Sequence, residues 1–307
     1  MSNLNKLAIA LALAGTSLTA QATVVTEWSY STLASFTSAS FSSGSDGTTY
    51  NSPAVLSWGN GSVSATTPSS GVDRSYLTIG NGVGANGLYN GAAATGSVST
   101  DGVAVKGDIF THWNNAISGD YGTLTGGIVH DTLTLTPLLP SSSSVSVDAP
   151  TLDFSFHFIE TLNGTPCPGG NAGSSTICGD LFGFQGTPNF NLPFSYGDDA
   201  DYGDGKDEQY YASVIVFDPR SESSIPIYWL NDGQCAALGF ADGYSTLATT
   251  RHNLCQGFIT NEGQINQVQF GFAITSVPIT VPEPSMPAVI GVALFALGLS
   301  RRALRKG

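Results

Sequence analysis

Apolar side chains recur at every second position along much of this chain, and that period belongs to strands rather than helices. In Asp153-Phe-Ser-Phe-His-Phe158 the three phenylalanines fall on one face. Thr132-Leu-Thr-Leu135 does the same with two leucines, and Val268-Gln-Phe-Gly-Phe-Ala-Ile274 aligns Val268, Phe270, Phe272 and Ile274. Ser213-Val-Ile-Val-Phe217 reads as a continuous apolar strand from a sheet interior. Ile225-Pro-Ile-Tyr-Trp-Leu230 reads as a strand that Pro226 confines to an edge or bulge. Turn signals separate these runs: Asn60-Gly61, Asp101-Gly102, Asn163-Gly164, Asn231-Asp-Gly233 and Asp242-Gly243. No segment of useful length between the two ends carries the helical period. The 37 Gly and 15 Pro among 307 residues leave little room for long helices. The pattern predicts an all-β body, a single β-sandwich or jelly-roll-like domain. Residues 31–50 and Ser141–Ser144 are rich in Ser, Thr and Gly and read as loops or edge segments. No internal repeat and no composition break divides the body.

The two ends are of another kind. Lys6, the apolar run Leu7–Ala14 and the small-x-small site Ala20-Gln21-Ala22 make residues 1–22 a secretory signal peptide. As a helix, about twelve apolar residues rise ~18 Å, short of the ~30 Å hydrocarbon core. Residues 23–280 are the body. Residues 281–307 open on Val281-Pro-Glu-Pro284, continue through a nearly all small or apolar stretch, Ser285–Ser300, and close on Arg301, Arg302, Arg305 and Lys306. That stretch suits a short transmembrane helix of about 24 Å. The basic cluster would stay cytoplasmic, leaving the body on the far side.

Pro282, Glu283 and Pro284, the short apolar helix and the terminal arginines, in that order, resemble the PEP-CTERM sorting signal of Gram-negative bacteria. The resemblance implies export through the Sec translocon and transient anchoring in the inner membrane by the C-terminal helix. An exosortase, a membrane protease-transpeptidase, then cuts near Pro-Glu-Pro, and the product goes to the cell surface or outside. Without its two ends the body carries five Lys and Arg against 22 Asp and Glu, a net charge of -17. So acidic a body excludes nucleic acid as a partner and favours cations or basic surfaces.

Phe110-Thr-His-Trp-Asn114, taken with that tail, is similar to the THxN family of PEP-CTERM proteins, the motif being Thr111, His112 and Asn114. Ser57-Trp58-Gly59, Arg74-Ser-Tyr-Leu77, Phe158-Ile-Glu160-Thr161, Cys178-Gly-Asp180-Leu-Phe182, Cys255 and Thr260-Asn-Glu262 extend the likeness. The resemblance implies an exported surface protein and supplies no catalytic residues. Strand phase adds a physical expectation. Glu160 continues the inward phase of Phe154, Phe156 and Phe158, and a carboxylate facing a core needs a partner. We expect Glu160 to meet Thr111, His112 and Asn114 in a buried polar network that fixes strand register.

Four cysteines follow the signal, an even number suited to disulfides in an oxidising compartment. Three connectivities are open. The local one pairs Cys167 with Cys178 and Cys235 with Cys255. Zinc is the weaker rival, because no CxxC spacing is present. Gly197–Glu208 is the densest acidic stretch. Asp198, Asp199, Asp201 and Asp204 offer hard oxygen ligands that suit Ca²⁺, although the spacing does not complete an EF-hand; a solvated hairpin loop is the plainer reading. No other cofactor is expected.

No HExxH and no GxSxG occurs, and with only four His the sequence signals no enzyme. The expected function is that of a surface or extracellular-matrix protein without catalysis. A carbohydrate-binding module, associated with exopolysaccharide and stacking sugars on Trp113, Tyr196, Tyr202 or Trp229, is the alternative. A secreted hydrolase is a third.

Overall fold

The computed structural model describes residues 24–81, 93–139, 146–149, 151–161, 179–184, 191–196, 208–217, 228–240 and 255–279. The chain divides into two compact units, Met1–Ser276 and Val277–Gly307, and every strand described below lies in the first. Among the described residues no helix is long and apolar enough to cross a membrane. The signal peptide and the 281–307 segment lie outside them.

The described residues are nearly all strand. In chain order they are β1 (Glu27–Phe41), β2 (Thr48–Asn51), β3 (Val55–Gly59), β4 (Arg74–Gly80), β5 (Ala94–Ser99), β6 (Val105–Asn114), β7 (Leu124–Leu139) and β8 (Val147–Asp148). There follow β9 (Leu152–Ile159), β10 (Asp180–Phe184), β11 (Leu192–Tyr196), β12 (Glu208–Phe217), β13 (Tyr228–Trp229), β14 (Gln256–Thr260) and β15 (Gln264–Thr275). A helix, α1 (Asp232–Ala237), sits between β13 and β14.

Two antiparallel sheets result. One runs β13-β14-β10-β9-β7-β1-β5, with β8 added alongside β7; the other runs β11-β12-β15-β6-β4-β3-β2. Their inward side chains share cores. Phe36 of β1, Phe154, Phe156 and Phe158 of β9 and Phe182 of β10 meet Trp58 of β3, Ile79 of β4, Phe110 of β6 and Phe270 of β15. A second core joins Trp28, Tyr30, Leu133 and Leu135 from the first sheet to Phe194, Tyr210, Phe272 and Ile274 from the second. Two sheets with common cores are consistent with a β-sandwich. The alternating runs occupy the expected faces: Phe154, Phe156 and Phe158, Leu133 and Leu135, and Val268 through Ile274 at even positions are all buried.

Two expectations change. Of the loop and edge-segment readings of residues 31–41, the loop falls: they belong to β1, a fifteen-residue strand that pairs with β7 along its length and, among the described residues, with β5 as far as Thr32. Its serines face outward or lie half-buried while Tyr30, Thr32, Ala34 and Phe36 point inward. A period-2 pattern written with small residues is still a strand pattern. Asn231-Asp-Gly233 is not a turn but the start of α1. The Asn231 side chain accepts from the Gln234 backbone N–H and the Gln234 side chain accepts from that of Asn231, each at 2.9 Å, which is a capping box. Ser213–Phe217 lies in β12, between β11 and β15 in its sheet; among the described residues the 213–217 half pairs with β15. Of the Ile225–Leu230 run, Tyr228 and Trp229 form β13, at the end of the strand order of its sheet, and residues 225–227 lie outside the described residues.

Cys235 of α1 is disulfide-bonded to Cys255 at the mouth of β14, Cα atoms 5.7 Å apart. Leu181, Leu230 and Leu238 pack around the bridge. Paired glycines make room for this helical flap: a Cβ at Gly183 would come within 2.6 Å of Leu238 Cδ1, and one at Gly257 within 2.7 Å of Leu230 Cδ1. Cys167 and Cys178 lie outside the described residues.

Candidate functional site: a buried carboxylate cluster

One face of β6 carries Asp108, Phe110, His112 and Asn114, because side chains two apart share a face. Phe110 is wholly given to ring packing, with Phe36, Phe156, Phe182, Phe258 and Phe270 around it. His112 and Asn114 reach past it toward the ends of β9, β10 and β14. Neither is exposed beyond 1%.

Three carboxylates gather there. Glu160 follows the last residue of β9 and keeps the inward phase of its phenylalanines. Asp180 opens β10 in register with Thr260, the last residue of β14. Glu262 sits in the turn between β14 and β15, which Gly263 closes with a φ of +68° that favours glycine. Asn266 pins that turn, accepting from Asn261 N–H at 3.0 Å and donating to its carbonyl at 2.9 Å. One carboxylate oxygen from each of Glu160, Asp180 and Glu262 lies within 4.8 Å of the other two.

The neighbours are specific. Trp58 Nε1 donates to Glu160 Oε2 at 2.7 Å, and its indole stacks on the His112 ring with centroids 5.9 Å apart. The Thr161 backbone N–H donates to Asp180 Oδ1 at 2.8 Å, and its hydroxyl to the same oxygen at 3.2 Å. The other oxygen, Asp180 Oδ2, makes no hydrogen bond within 3.5 Å, although the Asn114 side chain stands near enough to Asp180 to oppose the rise in its pKa. It faces His112 Nε2 across 3.9 Å. His112 Nδ1 is bonded to Thr260 Oγ1 at 2.9 Å, and Thr260 Oγ1 stands 3.4 Å from the Asp180 carbonyl oxygen. The Thr260 hydroxyl thus bridges the imidazole and the Asp180 carbonyl, and the ring's tautomer follows from which of the two it donates to.

Burial sets the acidities. It pushes the His112 imidazole down to about 3, so the ring is neutral. It pushes Glu160 well above the usual carboxylate range, with the Asp180 charge adding to the rise and the Trp58 N–H opposing it. Asp180 is raised for the same first reason, the Thr161 N–H opposing and Glu262 adding. Among the described residues no Lys or Arg is set against Glu160 or Asp180.

The structure brings His112, Asn114 and Glu160 to one place, with Asp180 between His112 and Glu160. It does not bring Thr111 there. One residue out of phase, Thr111 faces the other side of β6, where its hydroxyl accepts from Gln267 Nε2 at 3.3 Å. Asp180, Glu262, Trp58 and Thr260 were not assigned to the network from sequence. The phase argument used for Glu160 would have found two of them, because Asp180 alternates with Phe182 and Thr260 with Phe258.

Two of the aromatics considered for sugar stacking are packed away. Trp113 is 6% exposed, beneath Val55 and Tyr76, and Tyr196 is 8% exposed, against Trp28. Tyr202 and the Trp229 side chain lie outside the described residues. So do the acidic ligands Asp198, Asp199, Asp201 and Asp204 and the sorting residues Pro282, Glu283, Pro284, Arg301 and Arg302. No protein-family model and no curated protein matches the chain.

Proposed function

We propose that the chain is an exported surface or extracellular-matrix protein, delivered by its C-terminal segment and not an enzyme. On this reading residues 1–22 are a cleaved signal helix and residues 23–280 a β-sandwich body. Residues 281–307 are a PEP-CTERM-type tail that holds the protein at the inner membrane until an exosortase removes it. The carrying observation is the order of Pro282-Glu283-Pro284, an apolar stretch and terminal arginines in the sequence. Two further features support it. The Cys235–Cys255 bridge suits an oxidising compartment. His112, Asn114 and Asp180 are closed to solvent, which suits an architectural duty for the polar cluster better than one that must admit a substrate.

Mass spectrometry of the mature C-terminus is the test. In a host with an exosortase the terminus should lie at or just before Pro282–Pro284, and in a host lacking that enzyme the tail should remain. Mature protein recovered from outside the cell with Arg301 and Arg302 in place defeats the reading.

A further inference from the structure

The turn that follows β5 ties the first strand of the body to the last. Thr100 faces the beginning. Its N–H donates to the Thr26 carbonyl at 3.0 Å, and its hydroxyl donates to the Val25 carbonyl at 2.6 Å and accepts from Trp28 Nε1 at 2.9 Å. Asp101 faces the end. Its N–H donates to the Ile274 carbonyl at 2.9 Å. Its carboxylate accepts the Ser276 backbone N–H on Oδ1 at 2.9 Å and the Ser276 hydroxyl on Oδ2 at 2.7 Å. β15 stops at Thr275, so a side chain rather than the ladder holds Ser276. Asp101 does this from a φ of +58°, a left-handed conformation that Asp adopts only at some cost. Strain kept in place by both backbone and side-chain bonds points to a task. Adjacent residues of one turn thus fasten Val25 and Ser276, and both ends of the sandwich leave it at one pole.

We propose that Asp101 is a positioning residue for removal of the tail: it latches Ser276 and so sets how much chain stands between the folded body and the cut. The proposal rests on the tail reading given above. The cut breaks one peptide bond; its acyl side passes to water or to an amine, and its amine side leaves with the tail. An enzyme that takes its substrate as an extended strand needs several residues clear of the body on the near side of that bond. Pro282 lies six residues beyond Ser276, a reach of at most ~22 Å when fully extended. With its origin fixed by Asp101, that short reach is a ruler. The latch also dates the cut. It joins the β5 turn to the end of β15, beside the Thr100–Ile274 bridge, and so exists only once the two sheets have met. A chain held in one bilayer by both ends can close its sandwich before either is severed, because both ends leave from the same pole.

The test uses the full chain in a host with an exosortase and in one without. Asp101→Gly suits the left-handed φ and has no carboxylate; Asp101→Asn tolerates that φ and keeps an acceptor. In unprocessed protein from the second host, the Ser276 N–H should exchange at least about tenfold faster in Asp101→Gly than in wild type or Asp101→Asn, with the melting temperature little changed. In the first host, deletion of Val277 and Pro278 should slow tail removal at least about tenfold, since a substrate held short of its place loses rate steeply. Asp101→Gly in the shortened chain should recover part of that rate and Asp101→Asn none, a pattern that a purely structural role for Asp101 would not produce. Equal Ser276 exchange in wild type and Asp101→Gly, a shortened chain cut as fast as the intact one, or a slow one that Asp101→Gly leaves as slow, overturns the proposal. Intact wild type that keeps its tail in both hosts is a different result, read from the C-terminal mass: it sinks the sorting reading itself and the ruler with it.

Discussion

Asp108 shows how one residue is fixed by what the backbone lacks. β5 pairs with β1 only as far as Thr32, so among the described residues no strand bonds that edge of β1 beyond it. The Ala34 N–H turns across the sandwich and donates to Asp108 Oδ2 at 2.8 Å, and the Phe36 N–H donates to the Pro53 carbonyl at 2.7 Å. The carboxylate stands in for a missing ladder partner. Its burial, and secondarily the charge of Asp131, pushes Asp108 up to about 7. Asp131 is raised by burial to about 6, while the Thr32 hydroxyl, at 2.6 Å, opposes the rise. Between the ordinary carboxylate range and those values the folded chain holds protons that the unfolded chain has released. Stability is therefore greatest at the acid end of this window and falls as pH rises toward 7. Each unit of mismatch is worth about 1.4 kcal/mol. The melting temperature should drop between pH 5 and 8. Asp108→Asn, which keeps an acceptor for Ala34, should flatten that drop and melt higher at pH 8. Sequence alone gave Asp108 no distinction, because its role depends on a backbone N–H of a strand 74 residues away. Glu160 was legible for the opposite reason: its phase is set by its own strand.

At the scale of elements, strands were easiest to read where the inward residues are large. The Phe154–Phe158 and Val268–Ile274 runs needed no tertiary knowledge. β1 was missed over 31–41 because Ser and Thr supply its outward face and Ala34 one of its inward positions, so composition outweighed period. α1 was missed because Asn, Asp and Gly open turns and helices alike, and only Gln234 three residues after Asn231 separates the two. Without its cap, a helix of six residues has little to hold its first turn. Asn231→Ala should cost about 1 kcal/mol in chemical denaturation, and Asn231→Asp, which preserves the acceptor, should cost much less.

For the whole molecule, the cluster at Glu160, Asp180 and Glu262 draws on three segments spread over about a hundred residues, and no local pattern announces such a meeting. What sequence could supply was the inward phase of single members; the convergence belongs to the topology. Sequence separation also governs the role of the bridge. Cys235–Cys255 closes a twenty-residue separation and fastens the α1 flap to β14, two strands from β9 in its sheet. A loop of that size contributes about 3 kcal/mol. Protein made under reducing conditions, or carrying Cys235→Ser with Cys255→Ser, should unfold at correspondingly lower denaturant. The expected change lies in midpoint rather than in the spectrum of the β-rich body.

The position of β1 has a bearing on assembly. Among the described strands it is the first in chain order, yet in its sheet it lies between β7 and β5. Its partner β7 ends at Leu139, so more than a hundred residues must follow Glu27 before that seam can be fully sewn. During that interval a long ribbon with two bare selvedges is open to any passing strand. The serines and threonines along its outer side keep such a ribbon wetted while it waits.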